Sequence, residues 1–563
     1  MKILKNFPCI VRDQVKLATD LYMPDQDGAY PVILMRTPYD KEGIAQDPLY
    51  EHYPEFVEAG YIVAVQDCRG TCSSEGKMNL NGANEHNDGY DAVEFLAAQP
   101  FCDGNVGMFG LSYFGFTQIA AASGAPAHLK AICPFMCCSL SSFGTSAMQT
   151  ISCFHLNWAY NQLLEHPKQY MPDEAFRNKM LPILKENRDK LGDFAKTLPM
   201  NENPAALPEG VPMLKDYLDL VEGVEKKEFW DSIHSPICYD NIHTAMLCGT
   251  GWMDGACNST IDNFMAARRS KDSFTRDNAF LLIGPWTHGG VLPHKIEDVD
   301  FGAENSGEAQ GVSSIMLHWF NRYLKQKDET FLPDRVYYFM QGSNDWHTAA
   351  DWPPPQSRQV KFYLAPGAGL KTEIPGAGET ALVYDPMDPA PSEIVDQKNR
   401  RVMADWSEIS GRKDVLEFHS DSLDKDLFLA GSIYMNLYAA TDVPDTDFVC
   451  RLTDISPDGY QRQIAVGYVR ARHRNGLFTN DFLTPGETVA YQFGIGHTAY
   501  CIPAGHAVGI QLTGSMFPGI NRNLNTVEPP SLGKDYAIAH DRILFGEGHA
   551  SCLLLPVLQK ESQ

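Results

Sequence analysis

The segment Val106-Gly107-Met108-Phe109-Gly110-Leu111-Ser112-Tyr113-Phe114-Gly115 carries the strongest chemical signal in the chain. A short apolar strand enters Gly-x-Ser and leaves through a small-residue helix, Gln118 to Ala122. A sharp strand-to-helix turn of this kind, a nucleophile elbow, lifts a serine hydroxyl clear of the backbone to attack an acyl carbon. The usual pentapeptide has glycine two residues after the serine; here Phe114 stands there and glycine follows at 115. A serine hydroxyl is a weak nucleophile at neutral pH. It needs a base to take its proton, a carboxylate to orient that base, and donors for the oxyanion. Elbow enzymes supply the acid and then the histidine from later loops, each beyond a strand. Two segments fit: the strand Ala245 to Gly249 leads to Asp254 in Gly251-Trp252-Met253-Asp254-Gly255, and Ala279 to Ile283 leads to His288 in Gly284-Pro285-Trp286-Thr287-His288-Gly289. Asp272, Asp277 and Asp298 are rivals for the acid and His294 for the base, but none lies directly beyond a strand.

These residues need a scaffold, and the first 140 residues alternate strand and helix signals. Ile10 to Met23 reads as a hairpin about Arg12-Asp13. Val32 to Met35, Tyr61 to Gln66, Val106 to Phe109 and Leu129 to Phe135 are short apolar strands of the kind covered on both faces. Gly60 closes the helix before the second of them, and Asp91 to Ala98 is helical. The alternation predicts a mostly parallel sheet wrapped by helices. From about 150 to 229 the texture is helical, with Phe154-x-x-x-Trp158 and Met180-x-x-x-Leu184. The returning strands are followed by a helix carrying Val312, Ile315, Met316, Trp319, Phe320 and Tyr323 at helical spacing.

Beyond Trp352-Pro353-Pro354-Pro355, four runs alternate at period two: Ile433/Met435/Leu437, Phe448/Cys450/Leu452, Ile464/Val466/Tyr468 and Val508/Ile510/Leu512. Pro457-Asp458-Gly459 supplies a turn between two of them. The expected architecture is an α/β-hydrolase fold with an inserted helical cap, followed by a C-terminal all-β jelly-roll domain. Its parts are expected at 1–140 and 243–348 for the α/β domain, 141–242 for the cap and 349–563 for the jelly roll.

The 563 residues are 44% hydrophobic and 21% charged, an ordinary globular composition, and 46 basic against 71 acidic residues give a net charge of −25. Such a surface argues against nucleic acid or an anionic membrane as a partner. The chain shows no signal peptide and no run of membrane-spanning length. Its 14 cysteines are scattered, and Cys133, Cys248 and Cys450 sit in core-like runs. Reduced thiols in a cytoplasmic protein are the expectation. Cys68 and Cys72 have no second pair or nearby histidine in sequence to complete a zinc site, so neither a metal nor an organic cofactor is expected.

A wider set of motifs bears a family resemblance. Arg36-Thr37-Pro38-Tyr39-Asp40-Lys41, Gln66-Asp67-Cys68-Arg69-Gly70 with Ser74-Glu75-Gly76, Cys102-Asp103-Gly104-Asn105-Val106-Gly107 before the elbow, Gly-Trp-Met-Asp-Gly and Gly-Pro-Trp-Thr-His together resemble the cocaine-esterase-type (CocE/NonD) serine hydrolases. That family is grouped with the X-Pro dipeptidyl-peptidases and the α-amino-acid ester hydrolases. The resemblance continues through Ala440 to Phe448 and Arg522 to Thr526 in the β domain. It implies Ser112 as nucleophile, His288 as base and Asp254 as orienting acid. It also implies an oxyanion hole made by the Tyr39 hydroxyl and the backbone N–H of Tyr113.

Phe154, Trp158 and Tyr160 are candidate acyl-pocket residues, although aromatics at helical spacing more often pack cores. Asp67 and Arg69 read as a charged structural turn. The acid loop carries Ala256 where relatives often have an aromatic bounding the acyl pocket, so a different acyl preference is expected. The start of the chain directly on the hairpin counts against the longer X-Pro dipeptidyl-peptidases. Glu165, Asp173 and Glu174 are the cap acids available to a substrate ammonium. The expected function is cleavage of small carboxylic esters or related acyl compounds through an acyl-enzyme. X-Pro dipeptide release and hydrolysis of α-amino acyl esters or β-lactam side chains are the alternatives, with a binding-only β domain behind them. Partners are a small ester, amide or short peptide, with the jelly roll as a possible homodimer surface.

Overall fold

The computed structural model describes residues 1–44, 53–79, 82–138, 155–234, 238–291, 293–393, 395–396 and 399–559. The apolar runs form a ten-stranded sheet of β1 (Lys2–Ile10), β2 (Lys16–Met23), β3 (Tyr30–Thr37), β4 (Ile62–Asp67), β5 (Cys102–Leu111), β6 (Leu129–Phe135), β7 (Ala245–Met253), β8 (Ala279–Thr287), β9 (Val336–Met340) and β10 (Asp345–Ala349). Their spatial order is β1-β2-β4-β3-β5-β6-β7-β8-β9-β10. The pairs from β4 through β9 are parallel, and antiparallel strands finish both edges. The strand order reverses about β3, which leaves a crevice at the carboxyl ends of β3 and β5, where open α/β sheets bind ligands.

Among the described residues the helices of ten residues or more are α1 (Glu85–Ala97), α2 (Tyr113–Ser123), α3 (Leu156–Glu165), α4 (Glu174–Asp189), α5 (Pro212–Gly223), α6 (Cys257–Arg268) and α7 (Val312–Leu324). Ala92, Val93 and Leu96 of α1, Ile119 of α2 and Ile261 and Phe264 of α6 cover one face of the sheet. Val312, Trp319 and Phe320 of α7 cover the other. Burial on both faces explains why these strands read as continuous apolar runs. Helices α3, α4 and α5 lie in the chain between β6 and β7. They bury their own core, including Leu156, Tyr160, Leu163, Leu184, Leu214, Tyr217 and Trp230. The C-terminal part is an eleven-stranded sheet whose longest pair is Leu427–Ala440 against Val489–Ile502.

Several boundaries differ from the sequence expectation for a physical reason. Helix α1 starts at Glu85, not Asp91, because its polar first turns point inward: Glu85 meets Arg36 at 2.6 Å and Asp88 meets Arg69 at 2.6 Å. Strand β5 starts at Cys102 and carries the turn-like Asp103-Gly104-Asn105 within it. The strand Asp447–Ile455 alternates in sequence yet is buried on both faces up to Asp454. Its polar side is satisfied internally, as in the Asp447–Arg470 pair at 2.9 Å. The two sheets meet where Gln341, just beyond β9, bridges Tyr500, and where Asn258 of α6 accepts the His497 N–H at 2.9 Å.

Candidate active site

Ser112 sits between β5 and α2 with φ +61° and ψ −125°, a strained conformation for a residue bearing a side chain. The turn is pinned on both sides: the Ser112 N–H donates to the Phe135 carbonyl at 2.9 Å, and its own carbonyl accepts from Gly115 N–H at 2.9 Å. The displaced glycine is explained by the packing. Gly110 has φ +131°, and a Cβ there would stand 2.6 Å from the Cβ of Phe114. The positions two before and two after the serine therefore face each other, and one glycine suffices. Phe114 occupies the space Gly110 leaves and is only 2% exposed. Gly115 is needed for another neighbour, since a Cβ there would lie 2.5 Å from the Cβ of Cys137.

The acid and base loops leave adjacent parallel strands just beyond a register shift between Gly251 and Met253. Met253 of β7 pairs with Thr287 of β8, so the next residues, Asp254 and His288, emerge side by side. His288 Nδ1 lies 2.7 Å from Asp254 Oδ1, and His288 Nε2 lies 2.9 Å from Ser112 Oγ. A carboxylate only accepts, so Nδ1 carries the proton and the Nε2 lone pair faces the serine hydroxyl. The Asp254 side chain is fully buried. Its Oδ1 also accepts the Ala256 N–H at 3.0 Å, and its Oδ2 accepts the Thr250 hydroxyl at 3.1 Å. The His288 ring remains 52% exposed, open to the crevice. The hydrogen bond to Asp254 raises the His288 pKa above its ordinary value, and burial opposes it only in part.

Tyr39 follows β3 across the crevice, and its ring packs edge-on against those of Tyr113 and Phe114, the two residues after Ser112. Trp158 of α3 donates its indole N–H to the Tyr39 hydroxyl oxygen at 3.1 Å. Burial pushes the Tyr39 pKa up to about 12, so it stays a protonated donor at neutral pH. Tyr113 is the first residue of α2, where backbone N–H groups have no partner within the helix. Its ring stacks on Trp158 at 9° between planes, and its hydroxyl donates to Glu85 Oε1 at 3.1 Å. Tyr39, Tyr113, Phe114 and Trp158 thus form an aromatic wall beside Ser112.

Phe154 lies outside the described residues. Ala256 stands at the cap of α6, its N–H on Asp254. The rivals serve elsewhere: Asp272 caps the helix Ser273–Asp277 and bonds His243, while His294 sits 4.0 Å from Asp300. Asp67 holds Lys41 and the Ser73 N–H, and Arg69 bridges Asp13 and Asp88, as a structural turn should. Asp173 caps α4 through the Phe176 N–H, and Glu165 and Glu174 are exposed. The buried Arg36–Glu85 pair beneath Tyr113 went unforeseen. Arg36, a charge directly after the apolar run Val32 to Met35, was its only sequence trace, since Glu85 lies in the polar run Asn84 to Asp88.

A family model described as X-Pro dipeptidyl-peptidase (S15 family) matches residues 13–290, and one described as X-Pro dipeptidyl-peptidase C-terminal non-catalytic domain matches residues 330–554. A cocaine esterase from Rhodococcus sp. (strain MB1 Bresler) is 30% identical over 582 residues, spanning 99% of each chain. The chain belongs to the cocaine-esterase-like (CocE/NonD) hydrolases of the X-Pro dipeptidyl-peptidase (S15) type. This S15 member is a serine hydrolase acting on ester or acyl bonds. Two solved structures share its fold. An aminopeptidase from the marine sediment archaeon Thaumarchaeota archaeon has a TM-score of 0.79 at 22% identity, and an α-amino acid ester hydrolase has 0.78 at 23%. Both cover 99% of this chain and 96% of their own. Among the described residues no helix of this S15 hydrolase is long and apolar enough to cross a membrane.

Proposed function

We propose that the protein hydrolyses small carboxylic esters through an acyl-enzyme on Ser112. The observation that carries this reading is the continuous relay Asp254–His288–Ser112, with contacts of 2.7 and 2.9 Å. His288 Nε2 takes the Ser112 hydroxyl proton as Oγ bonds to the acyl carbon. Asp254 holds the tautomer and stabilises the imidazolium. The oxyanion is met by the Tyr39 hydroxyl and the Tyr113 N–H. The imidazolium then protonates the leaving alcohol, and water deacylates the serine by the same relay in reverse.

Acyl size is set on two sides, by Ala256 at the acid loop and by Trp158 on the cap helix. We read the β domain as a jelly roll and the protein as cytoplasmic; free thiols at the described cysteines support a reducing compartment. The test is Ser112→Ala, which should abolish p-nitrophenyl acetate turnover and fluorophosphonate labelling while leaving the melting temperature unchanged. Comparable turnover by the variant would remove the mechanism. The S15 match favours one second reading, release of X-Pro dipeptides by the same relay. Faster cleavage of Gly-Pro-p-nitroanilide than of its N-acetylated form, at rates exceeding those on esters, would select it.

A further inference from the structure

Cys72 finds no zinc partner near it in sequence, but folding brings two from a distance. The ligand atoms of Asp40, Cys72 and His166 all lie within 4.8 Å of one another, and all three residues are partly buried. Each comes from a different segment. Asp40 follows Tyr39 beyond β3, Cys72 lies in the turn after β4, and His166 ends α3 of the helical cap. From this convergence we infer that Asp40, Cys72 and His166 form a binding site for a borderline-soft divalent cation of the Zn²⁺ class, clipping the cap to the loop that carries Tyr39.

The donor set decides the class of ion. One imidazole nitrogen, one thiolate and one carboxylate oxygen are a zinc-type set, and they leave a fourth, tetrahedral position for water. Magnesium and calcium prefer all-oxygen shells and gain little from sulfur or imidazole. The two anionic ligands balance the charge of the ion. On binding, the Cys72 S–H bond breaks, the sulfur bonds to the metal, and the proton passes to solvent.

The surroundings hold the three groups in place. Asp40 Oδ1 accepts the Glu42 N–H at 3.0 Å. The Cys72 thiol donates to a neutral acceptor, Gln169 Oε1, at 3.3 Å. Gln169 Nε2 donates in turn to the Gly70 carbonyl at 2.9 Å, docking the His166 segment on the Cys72 turn. Lys41, the nearby cation, is engaged by Asp67 at 3.1 Å. Asp40 and Cys72 both adopt left-handed backbone, with φ +71° and +45°. Non-glycine residues in that region concentrate at ligand clamps.

Cobalt substitution and thermal unfolding of the full-length, metal-stripped protein test the site. One equivalent of Co²⁺ should give a near-ultraviolet thiolate-to-cobalt band with tetrahedral visible bands, and Zn²⁺ should abolish them by displacement. Zn²⁺ should also raise the melting temperature, reversibly with chelator. Cys72→Ser should lose the thiolate band, and Cys72→Ser, His166→Gln and Asp40→Asn should each weaken Zn²⁺ binding at least tenfold. Without metal, His166→Gln should melt with the wild type, so the loss cannot be ascribed to unfolding. Cys238→Ser, which removes an exposed thiol, should change nothing. Absence of the band in wild type, its persistence in Cys72→Ser, or its loss in Cys238→Ser would overturn the site.

Discussion

Trp158 and Tyr39 are joined by a 3.1 Å hydrogen bond in which the indole N–H donates to the phenol oxygen. A hydroxyl that accepts from the cap has its own proton left to give, and Tyr39 packs against Tyr113 and Phe114, the two residues after Ser112. The cap is thereby coupled to the proposed oxyanion donor. Tyr39→Phe should lower kcat on p-nitrophenyl acetate by about 10²–10³ with little change in KM, the usual effect of losing one oxyanion donor. Trp158→Phe keeps an aromatic ring against Tyr113 but deletes the donor. Its kcat should fall about fivefold, the worth of one ordinary hydrogen bond.

The pH profile follows from the His288–Asp254 contact. Acylation requires neutral His288, and Asp254 raises its pKa, so kcat/KM should be lost as pH falls through a midpoint above the ordinary histidine value of about 6.5. Asp254→Asn removes the cause of the shift. Its limb should move to lower pH, while kcat falls by about 10⁴ through loss of the productive tautomer. An unmoved limb would show that another group titrates.

The elbow makes a prediction about stability. Gly110→Ala places a methyl group 2.6 Å from the Phe114 Cβ and forces a side chain onto φ +131°. A cost of about 1–3 kcal/mol is expected. Thermal unfolding should shift down, and kcat should fall with it because Ser112 is misplaced. Gly411, also at positive φ but with open space around its missing Cβ, is the control for backbone strain alone.

Beneath Tyr113, the Arg36–Glu85 pair is buried, with the Tyr113 hydroxyl on the same carboxylate. Glu85→Ala would strand the guanidinium, a loss of about 3–5 kcal/mol for a broken buried pair. Denaturant unfolding of the α/β part should report it, with reduced kcat from loosening of Tyr113.

What the sequence could convey follows the range of the interactions. The relay was legible because each member sits in a short loop after an apolar strand, and parallel strands of one sheet leave little choice about where such loops meet. The turn at Asp67 and Arg69 was legible because its partners are charged and few. The start of α1 was not, because Glu85 and Asp88 look solvent-facing until Arg36 and Arg69 are placed. Nor was the link from Trp158 to Tyr39, since an aromatic at helical spacing shows whether it is buried and not what its N–H meets. The meeting of Cys72 with His166 depends on cap docking, which periodicity does not encode.

The most direct test of the relay is intact-protein and peptide mass spectrometry after rapid quenching of a p-nitrophenyl ester reaction. One acyl group on Ser112 is expected in the wild type, none in Ser112→Ala, and no detectable accumulation in His288→Ala. An acyl group on another residue, or turnover surviving in Ser112→Ala, would contradict it.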